Sequence, residues 1–161
     1  MWWLDVRCRK GVIATAAVFV VMTGIVTGMV VACGGDGSHE PTRTEYLARV
    51  AAICETYGEQ LDRIPPPTDP ASPGAVFESI SRALPILREQ RDRVRALEAP
   101  EALRGRLDRF FALTDRSLVA LERAEREAEQ RELFRMVQAI ADFETVRDEA
   151  KQLADVIGFD C

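Results

Sequence analysis

The sequence predicts an all-α fold, an up-down-up-down four-helix bundle that follows an uncharged N-terminal segment. Two observations predict it. Apolar residues recur at spacings of three and four in four successive stretches after residue 42, which is the period of one helix face. The breaks between these stretches are short, and short connections favour antiparallel packing of neighbouring helices. Strand-like alternation of any length is missing from the sequence.

The N-terminal segment, residues 1–32, has the layout of a secretory signal peptide. Basic residues open it, and no charge follows between Gly11 and Cys33. The run ends in Val30-Val31-Ala32-Cys33, the order of a bacterial lipobox. Small residues let the peptidase close around the backbone, and the Cys33 thiol accepts a diacylglyceryl group. We expect cleavage before Cys33 and attachment to a membrane through lipid on this residue.

A second interpretation of this segment stays open. The uncharged run is long enough to cross a bilayer as a helix, so it could remain as an uncleaved transmembrane anchor. Gly24, Gly28 and the position of Cys33 favour the cleaved lipoprotein. Both interpretations place the rest of the chain outside the cytoplasm.

Three regions follow from this division: the lipoprotein signal peptide at 1–32, the lipidated cysteine and a flexible Gly-rich tether at 33–41, and the bundle at 42–161. The net charge of the chain is −5. The signal peptide carries +2, so the exported part carries −7. An acidic body argues against nucleic acid as a partner.

The first helix is predicted to start at Thr42, because Thr42 and Glu45 form a capping-box pattern. It must end before Pro65, since the prolines 65–67 cannot continue a helix. Its apolar face consists of Tyr46, Val50, Ile53, Tyr57, Leu61 and Ile64.

Prolines also mark the next two helices. Ser72 and Pro73 have the pattern of an N-cap followed by a first helical residue. They predict the start of a second helix, which we expect to end near Leu97. Pro100 starts the third in the same way. The two apolar faces are Phe77, Ile80, Leu84, Leu87, Val94 and Leu97 in the second helix, and Leu103, Leu107, Phe110, Phe111, Leu118 and Leu121 in the third.

The apolar residues of the third helix lose their helical spacing after Ala128, which predicts a turn over Glu129–Glu132. No glycine or proline marks this turn, so one long continuous helix is the competing interpretation. Gly158 ends the last helix as a C′ glycine. The fourth apolar face is predicted to begin at Leu133 or Phe134 and to continue through Val137, Ile140, Phe143, Val146, Ala150, Leu153 and Ile157.

Two of the four cysteines are left for a disulfide. Cys8 lies in the leader and Cys33 accepts the lipid, so Cys54 and Cys161 remain in an oxidising compartment, where a disulfide is the common outcome. The end of a fourth helix returns to the end at which the first begins. Closing a loop of about a hundred residues should add up to about 4.7 kcal/mol of stability.

The helical body lacks the residues of common catalytic sites. The single histidine, His39, falls in the tether, which excludes di-iron, haem and serine or cysteine hydrolase constellations built on histidine. We therefore expect no enzyme activity, no cofactor and no metal. Polar residues interrupt the apolar faces at Gln90, Arg91 and Thr114, and these three could line a small polar ligand pocket inside the bundle.

In order along the chain, several short motifs resemble a group of small, mostly uncharacterised lipoproteins of high-GC Gram-positive (actinobacterial) bacteria. The resemblance covers nearly the whole exported chain and implies location and fold, but no activity. The motifs are the lipobox ending in Cys33, Ile53-Cys54, the loop Pro65–Pro70, Leu84-Pro85-Ile86-Leu87-Arg88, Leu97-Glu98-Ala99-Pro100 and the tail Gly158-Phe159-Asp160-Cys161.

Two functions fit these expectations. The first is a non-enzymatic lipoprotein of the cell envelope, anchored in the membrane, whose bundle presents a helical face to another envelope protein. The alternative is a ligand-binding lipoprotein with a polar pocket around Arg91. The sequence does not identify the ligand, the partner or the oligomeric state.

The lipobox generates a direct prediction. Replacing the lipid acceptor, Cys33→Ala, should abolish metabolic labelling by a fatty-acid analogue and leave an uncut precursor, because the thiol is the group that is acylated. Labelling of the variant, or a wild-type chain that is never cleaved, would favour the transmembrane anchor instead.

Overall fold

The computed structural model describes residues 40–160, which belong to one compact unit. The predicted signal peptide, most of the tether and Cys161 lie outside this range. The described residues form an all-α four-helix bundle, as predicted. Its helices are α1 (Arg43–Asp62), α2 (Pro73–Arg95), α3 (Arg104–Glu129) and α4 (Leu133–Ile157), and a short 3-10 helix, Glu101–Leu103, precedes α3.

The capping box predicted for α1 is present. The Glu45 carboxylate accepts the backbone N–H of Thr42 at 2.8 Å, and the Thr42 hydroxyl accepts the backbone N–H of Glu45 at 3.3 Å. Both bonds satisfy donors that have no partner inside the helix. The helix ends at Asp62, before the prolines, and Ser72 and Pro73 start α2 as predicted.

The turn between α3 and α4 is also confirmed, so the interpretation as one long helix is wrong. α3 ends at Glu129 and α4 begins at Leu133. Arg131 has a φ of 61°, in the left-handed region, and the backbone N–H of Glu132 bonds the carbonyl of Glu127 at 2.9 Å. A non-glycine residue in this conformation gives no glycine signal in the sequence.

Adjacent helices are joined by ion pairs as well as by apolar contact. Arg88 of α2 lies 2.8 Å from Glu122 of α3, and Arg123 of α3 pairs with Asp142 of α4. These pairs lie at the surface, where screening by solvent limits their contribution to stability.

The core consists of two clusters. The Glu40-end cluster combines residues of all four helices with two flanking positions: Tyr46, Val50, Cys54, Val94, Leu103, Leu107, Ile157 and Phe159. The turn-end cluster is built from α2, α3 and α4 alone: Val76, Ile80, Leu84, Leu118, Leu121, Ala124, Ala128, Met136 and Ala139. Thus α1 contributes to the Glu40-end cluster and not to the turn-end cluster, and its remaining buried residue, Tyr57, belongs to neither.

The chain segment after α4 closes the Glu40 end. Gly158 takes a φ of 96°, which turns the chain so that Phe159 is buried against α1 and α3. The Phe159 ring lies 6.2 Å from the Tyr46 ring and 5.1 Å from the Phe110 ring, centre to centre. The Arg43 guanidinium donates to the carbonyl of Ile157 at 2.9 Å, which stabilises the last turn of α4.

The predicted phase at the start of α4 is wrong. Met136 and Ala139 occupy the core, whereas Leu133, Phe134 and Val137 are 45%, 81% and 52% exposed. At 100° per residue, Leu133 and Val137 lie on the flank of α4 turned away from α3. Met136 and Ala139 are buried in this rotation against residues of α2 and α3, and no α1 residue in the turn-end cluster covers the flank.

The rotation of α4 can be tested by truncating one buried residue and one exposed residue of this helix. Met136→Ala should lower the free energy of unfolding by about 2–5 kcal/mol, because the Met136 side chain is completely buried. Phe134→Ala should change it by no more than about 0.5 kcal/mol. Urea denaturation of both variants measures the difference, and a larger loss for the Phe134 variant would contradict the observed rotation.

Candidate functional site

The residues proposed to line a polar pocket, Gln90, Arg91 and Thr114, do not bond one another. Arg91 donates to Asp115 at 2.7 Å and to Asp92 at 2.8 Å. The Thr114 hydroxyl donates to the carbonyl of Phe110 at 2.9 Å. Gln90 is half-buried. The guanidinium of Arg91 and the hydroxyl of Thr114 therefore have partners within the chain.

Asp115 joins α2 to α3 by accepting from two arginines. Arg91 and Arg95 each bond one of its carboxylate oxygens, at 2.7 and 2.8 Å. Burial raises the pKa of Asp115, but the hydrogen bonds and charges of Arg95 and Arg91 outweigh it, so its pKa falls below the ordinary value of 3.8. The Arg95 guanidinium also lies 4.8 Å from the Phe111 ring centre. This arrangement is a structural clamp between helices.

An apolar surface was missed by the sequence reasoning. We call Leu133, Phe134 and Val137 the α4 patch, which occupies the first two turns of α4. Arg131 and Arg135 flank it and are exposed. The end of α4 near Glu40 is about 36 Å away along the helix axis. The sequence contains one sign of this patch. Met136 is apolar and neighbours Val137, so either residue could have been the one that faces the core.

A small pocket lies between the proline-rich connector and α2. Its volume is about 100 Å³, and its walls are mainly apolar, formed by Ile64, the three following prolines and Ala75. Ser79 lines it and is only 6% exposed. The Ser79 hydroxyl has no hydrogen-bond partner within residues 40–160.

The rim of this pocket carries one negative and one positive side chain, whose charges neutralise each other. Glu78 and Arg82, one helical turn apart, form an exposed ion pair at 2.5 Å. Thr68 completes the lining. A buried hydroxyl without a partner is costly, and one that lines a cavity can be satisfied by a bound molecule. The Glu127 carboxylate oxygen Oε2, near the end of α3, is the other buried side-chain atom without a partner in the described part of the chain.

Of the cysteines, the structure describes Cys54 alone. Cys54 is buried in the Glu40-end cluster together with Ile157 and Phe159. Cys33 and Cys161, the predicted lipid acceptor and disulfide partner, lie outside residues 40–160. Both assignments stay predictions.

Two further classes of site were sought in the described region. Between Glu40 and Asp160, no group of three or more His, Cys, Asp and Glu side chains is placed to hold a metal ion. None of the helices in that region combines the length and hydropathy that a membrane span requires.

Comparisons with protein-family models, with curated proteins and with solved structures found no match to this chain.

The Asp115 clamp generates a pH-dependent prediction. Asp115→Asn should destabilise the protein at pH 7 by about 1 kcal/mol, since partly exposed ion pairs are screened by solvent. A carboxyl whose folded pKa is lowered stabilises above its unfolded pKa, so the difference from wild type should shrink as the pH falls below about 4.

Urea denaturation at pH 7 and pH 3 measures this effect, with Asp108→Asn as a control because Asp108 is exposed on the same helix. A difference between wild type and the Asp115 variant that stays constant over this pH range would show that Asp115 does not bind the arginines as an anion.

Proposed function

We propose that the chain is a membrane-anchored, extracytoplasmic lipoprotein and a non-enzymatic interaction protein of the cell envelope. The observation that carries the proposal is the α4 patch, three large apolar side chains exposed at the end of the bundle opposite Glu40. An exposed apolar patch beside charged residues is typical of a protein-binding surface. Arg131 and Arg135 supply those charges.

The anchor and the patch belong to opposite ends of the proposed arrangement. Cys33 precedes Glu40 by seven residues, so lipid on Cys33 would hold the Glu40 end by a short tether. The patch at the far end of α4 would then be available to another envelope protein. A non-catalytic role is supported by the sequence, which has its single histidine in the tether.

We do not propose a ligand-binding site around Arg91. The Arg91 guanidinium already bonds Asp115 and Asp92, and a ligand anion would have to displace one of these carboxylates. The hydroxyl of Thr114 is likewise engaged with the Phe110 carbonyl.

A disulfide between Cys54 and Cys161 is part of the same proposal. Two observations support it. Phe159, two residues before Cys161, is buried in the same cluster as Cys54. The left-handed Gly158 turns the chain back toward α1. Such a bond would fasten the end of the chain across the first helix.

The partner surface can be tested by photo-cross-linking in living cells of the native host. A photoreactive phenylalanine analogue is placed at Phe134 or, as a control, at Val119, which is 60% exposed on α3 outside the patch. We expect a discrete adduct with an envelope protein from position 134 and none from position 119. The adduct-forming partner should also co-purify with wild type but not with Phe134→Ala.

Two outcomes would contradict this function. One is the absence of any adduct at position 134. The other is the same adduct pattern at both positions, which would indicate random encounters on the cell surface rather than a specific contact.

A further inference from the structure

Arg131 has a backbone conformation that is unfavourable for an arginine. Its φ is 61°, in the left-handed region, and no other non-glycine residue between Glu40 and Asp160 has a positive φ. This region brings the Cβ atom close to the following carbonyl oxygen, so glycine adopts it readily and other residues adopt it at a cost in stability. Where the chain makes a left-handed turn after α4, the residue is Gly158. The turn itself thus favours glycine at position 131, which points to a role for the arginine side chain.

The Arg131 side chain is not used inside the bundle. It is exposed, and it makes no hydrogen bond or ion pair with another side chain within residues 40–160. Glu127 precedes it by four residues, the spacing at which a continuous helix pairs a carboxylate with an arginine. Because α3 ends at Glu129, that pairing is not made, and the Oε2 atom of Glu127 stays buried without a partner. The guanidinium is therefore left for a group outside the described part of the chain.

Arg131 lies at the edge of the α4 patch. It precedes Leu133 by two residues, and Arg135 directly follows Phe134. A guanidinium binds a carboxylate through two parallel N–H···O bonds, and such charge-assisted bonds are stronger than neutral ones. An apolar group packed on Phe134 excludes water from this neighbourhood, which strengthens the bonds further. The patch and the arginine thus fit an apolar side chain and a carboxylate that arrive together.

The charges around the patch cancel as a whole. Glu129 and Glu132 are exposed next to Arg131, and they offset the charges of Arg131 and Arg135. A polyanionic surface, such as an anionic membrane or a phosphate polymer, would meet these two carboxylates as well as the arginines and gain little. A single carboxylate placed at the arginine gains the hydrogen bonds and avoids most of this repulsion. The charges therefore favour a protein segment with one acidic side chain beside an apolar one.

We propose that the partner of the α4 patch presents an aspartate or glutamate carboxylate to Arg131, next to an apolar side chain that packs on Phe134. Arg131 determines the specificity of this contact, and it occupies a position where glycine would give a more stable turn. The inference rests on the proposed function, because it takes the occupant of the patch to be another envelope protein. It adds the chemistry by which that protein is recognised.

The test combines substitutions of Arg131 with the photoreactive phenylalanine analogue at position 134, in living cells of the native host. Arg131→Gly and Arg131→Asn both remove the guanidinium, and glycine and asparagine tolerate a left-handed backbone well. Each should lower the yield of the position-134 adduct by about 10-fold, the worth of one hydrogen bond to a charged group. Arg116→Gln removes an exposed arginine of α3 outside the patch, and it should leave the yield unchanged.

The partner's side of the contact is tested from the adduct itself. Mass spectrometry of the adduct identifies the partner peptide, which should carry an aspartate or glutamate close to the cross-linked residue. Replacing that residue with asparagine or glutamine should lower the yield as Arg131→Asn does. The two substitutions together should lower it no further, because either one removes the same interaction.

Thermal unfolding of the purified full chain separates the role of the side chain from that of the backbone. Arg131→Gly should melt at or above the temperature of wild type, because it relieves the left-handed strain and removes no contact inside the bundle. Arg131→Ala should melt below Arg131→Gly, since alanine keeps the strain. A variant that is at least as stable as wild type but forms less adduct has lost a partner contact and not its fold.

Several results would overturn this role of Arg131. An unchanged adduct yield in Arg131→Gly and Arg131→Asn would show that the patch binds its partner without the guanidinium, and the proposed function would stand. An equal loss of adduct in Arg116→Gln would indicate a general effect of charge. A melting temperature of Arg131→Gly below that of wild type would show that the arginine stabilises the turn. By contrast, the absence of any adduct at position 134 in the otherwise unchanged chain contradicts the proposed function itself.

Discussion

The described bundle depends on one contact, the packing of Phe159 against Tyr46 and Phe110 where the chain leaves α4. This contact joins the last helix to the first and the third, and it is possible only because Gly158 adopts a left-handed conformation with a φ of 96°. A Cβ atom at Gly158 would also lie 3.4 Å from side-chain atoms of Arg43 and Leu47. The left-handed backbone conformation therefore favours glycine here, whereas a contact of 3.4 Å is ordinary van der Waals packing.

The packing of Phe159 closes the Glu40 end of the bundle, and the two halves of the bundle have different cores. All four helices bury side chains in the Glu40-end cluster, whereas the turn-end cluster contains none from α1. The flank of α4 that carries Leu133 and Val137 is uncovered in this second half. The pocket lined by Ser79 lies where the chain after α1 meets α2. The α4 patch, the surface proposed to bind a partner, therefore belongs to the half whose buried cluster has residues from three helices only.

Local backbone chemistry explains what could be predicted from the sequence. The capping box at Thr42, the prolines after Ile64 and the pair Ser72-Pro73 each act within a few residues, so their consequences are visible in the sequence. The turn after Glu129 was found through the lost phase of the apolar stripe, although its left-handed residue is Arg131 rather than a glycine.

The features that were missed depend on contacts between helices. The rotation of α4 depends on which of its side chains pack against α2 and α3 and on whether α1 covers its flank, so the competition between Met136 and Val137 could not be decided within α4. The same limit applied to Arg91, whose partner Asp115 comes from another helix. The pocket at Ser79 requires the connector to fold over α2, which is a tertiary contact that periodicity does not encode.

In the proposed arrangement, a lipid on Cys33 holds one end of the chain while a disulfide between Cys54 and Cys161 fastens the other end onto α1. Peptide mapping of the protein from its own host, digested without reduction, tests both parts together. We expect a linked pair of peptides containing Cys54 and Cys161, and an N-terminal peptide that begins at a lipid-modified Cys33. A disulfide-linked peptide containing Cys33, or free thiols at both Cys54 and Cys161, would contradict it.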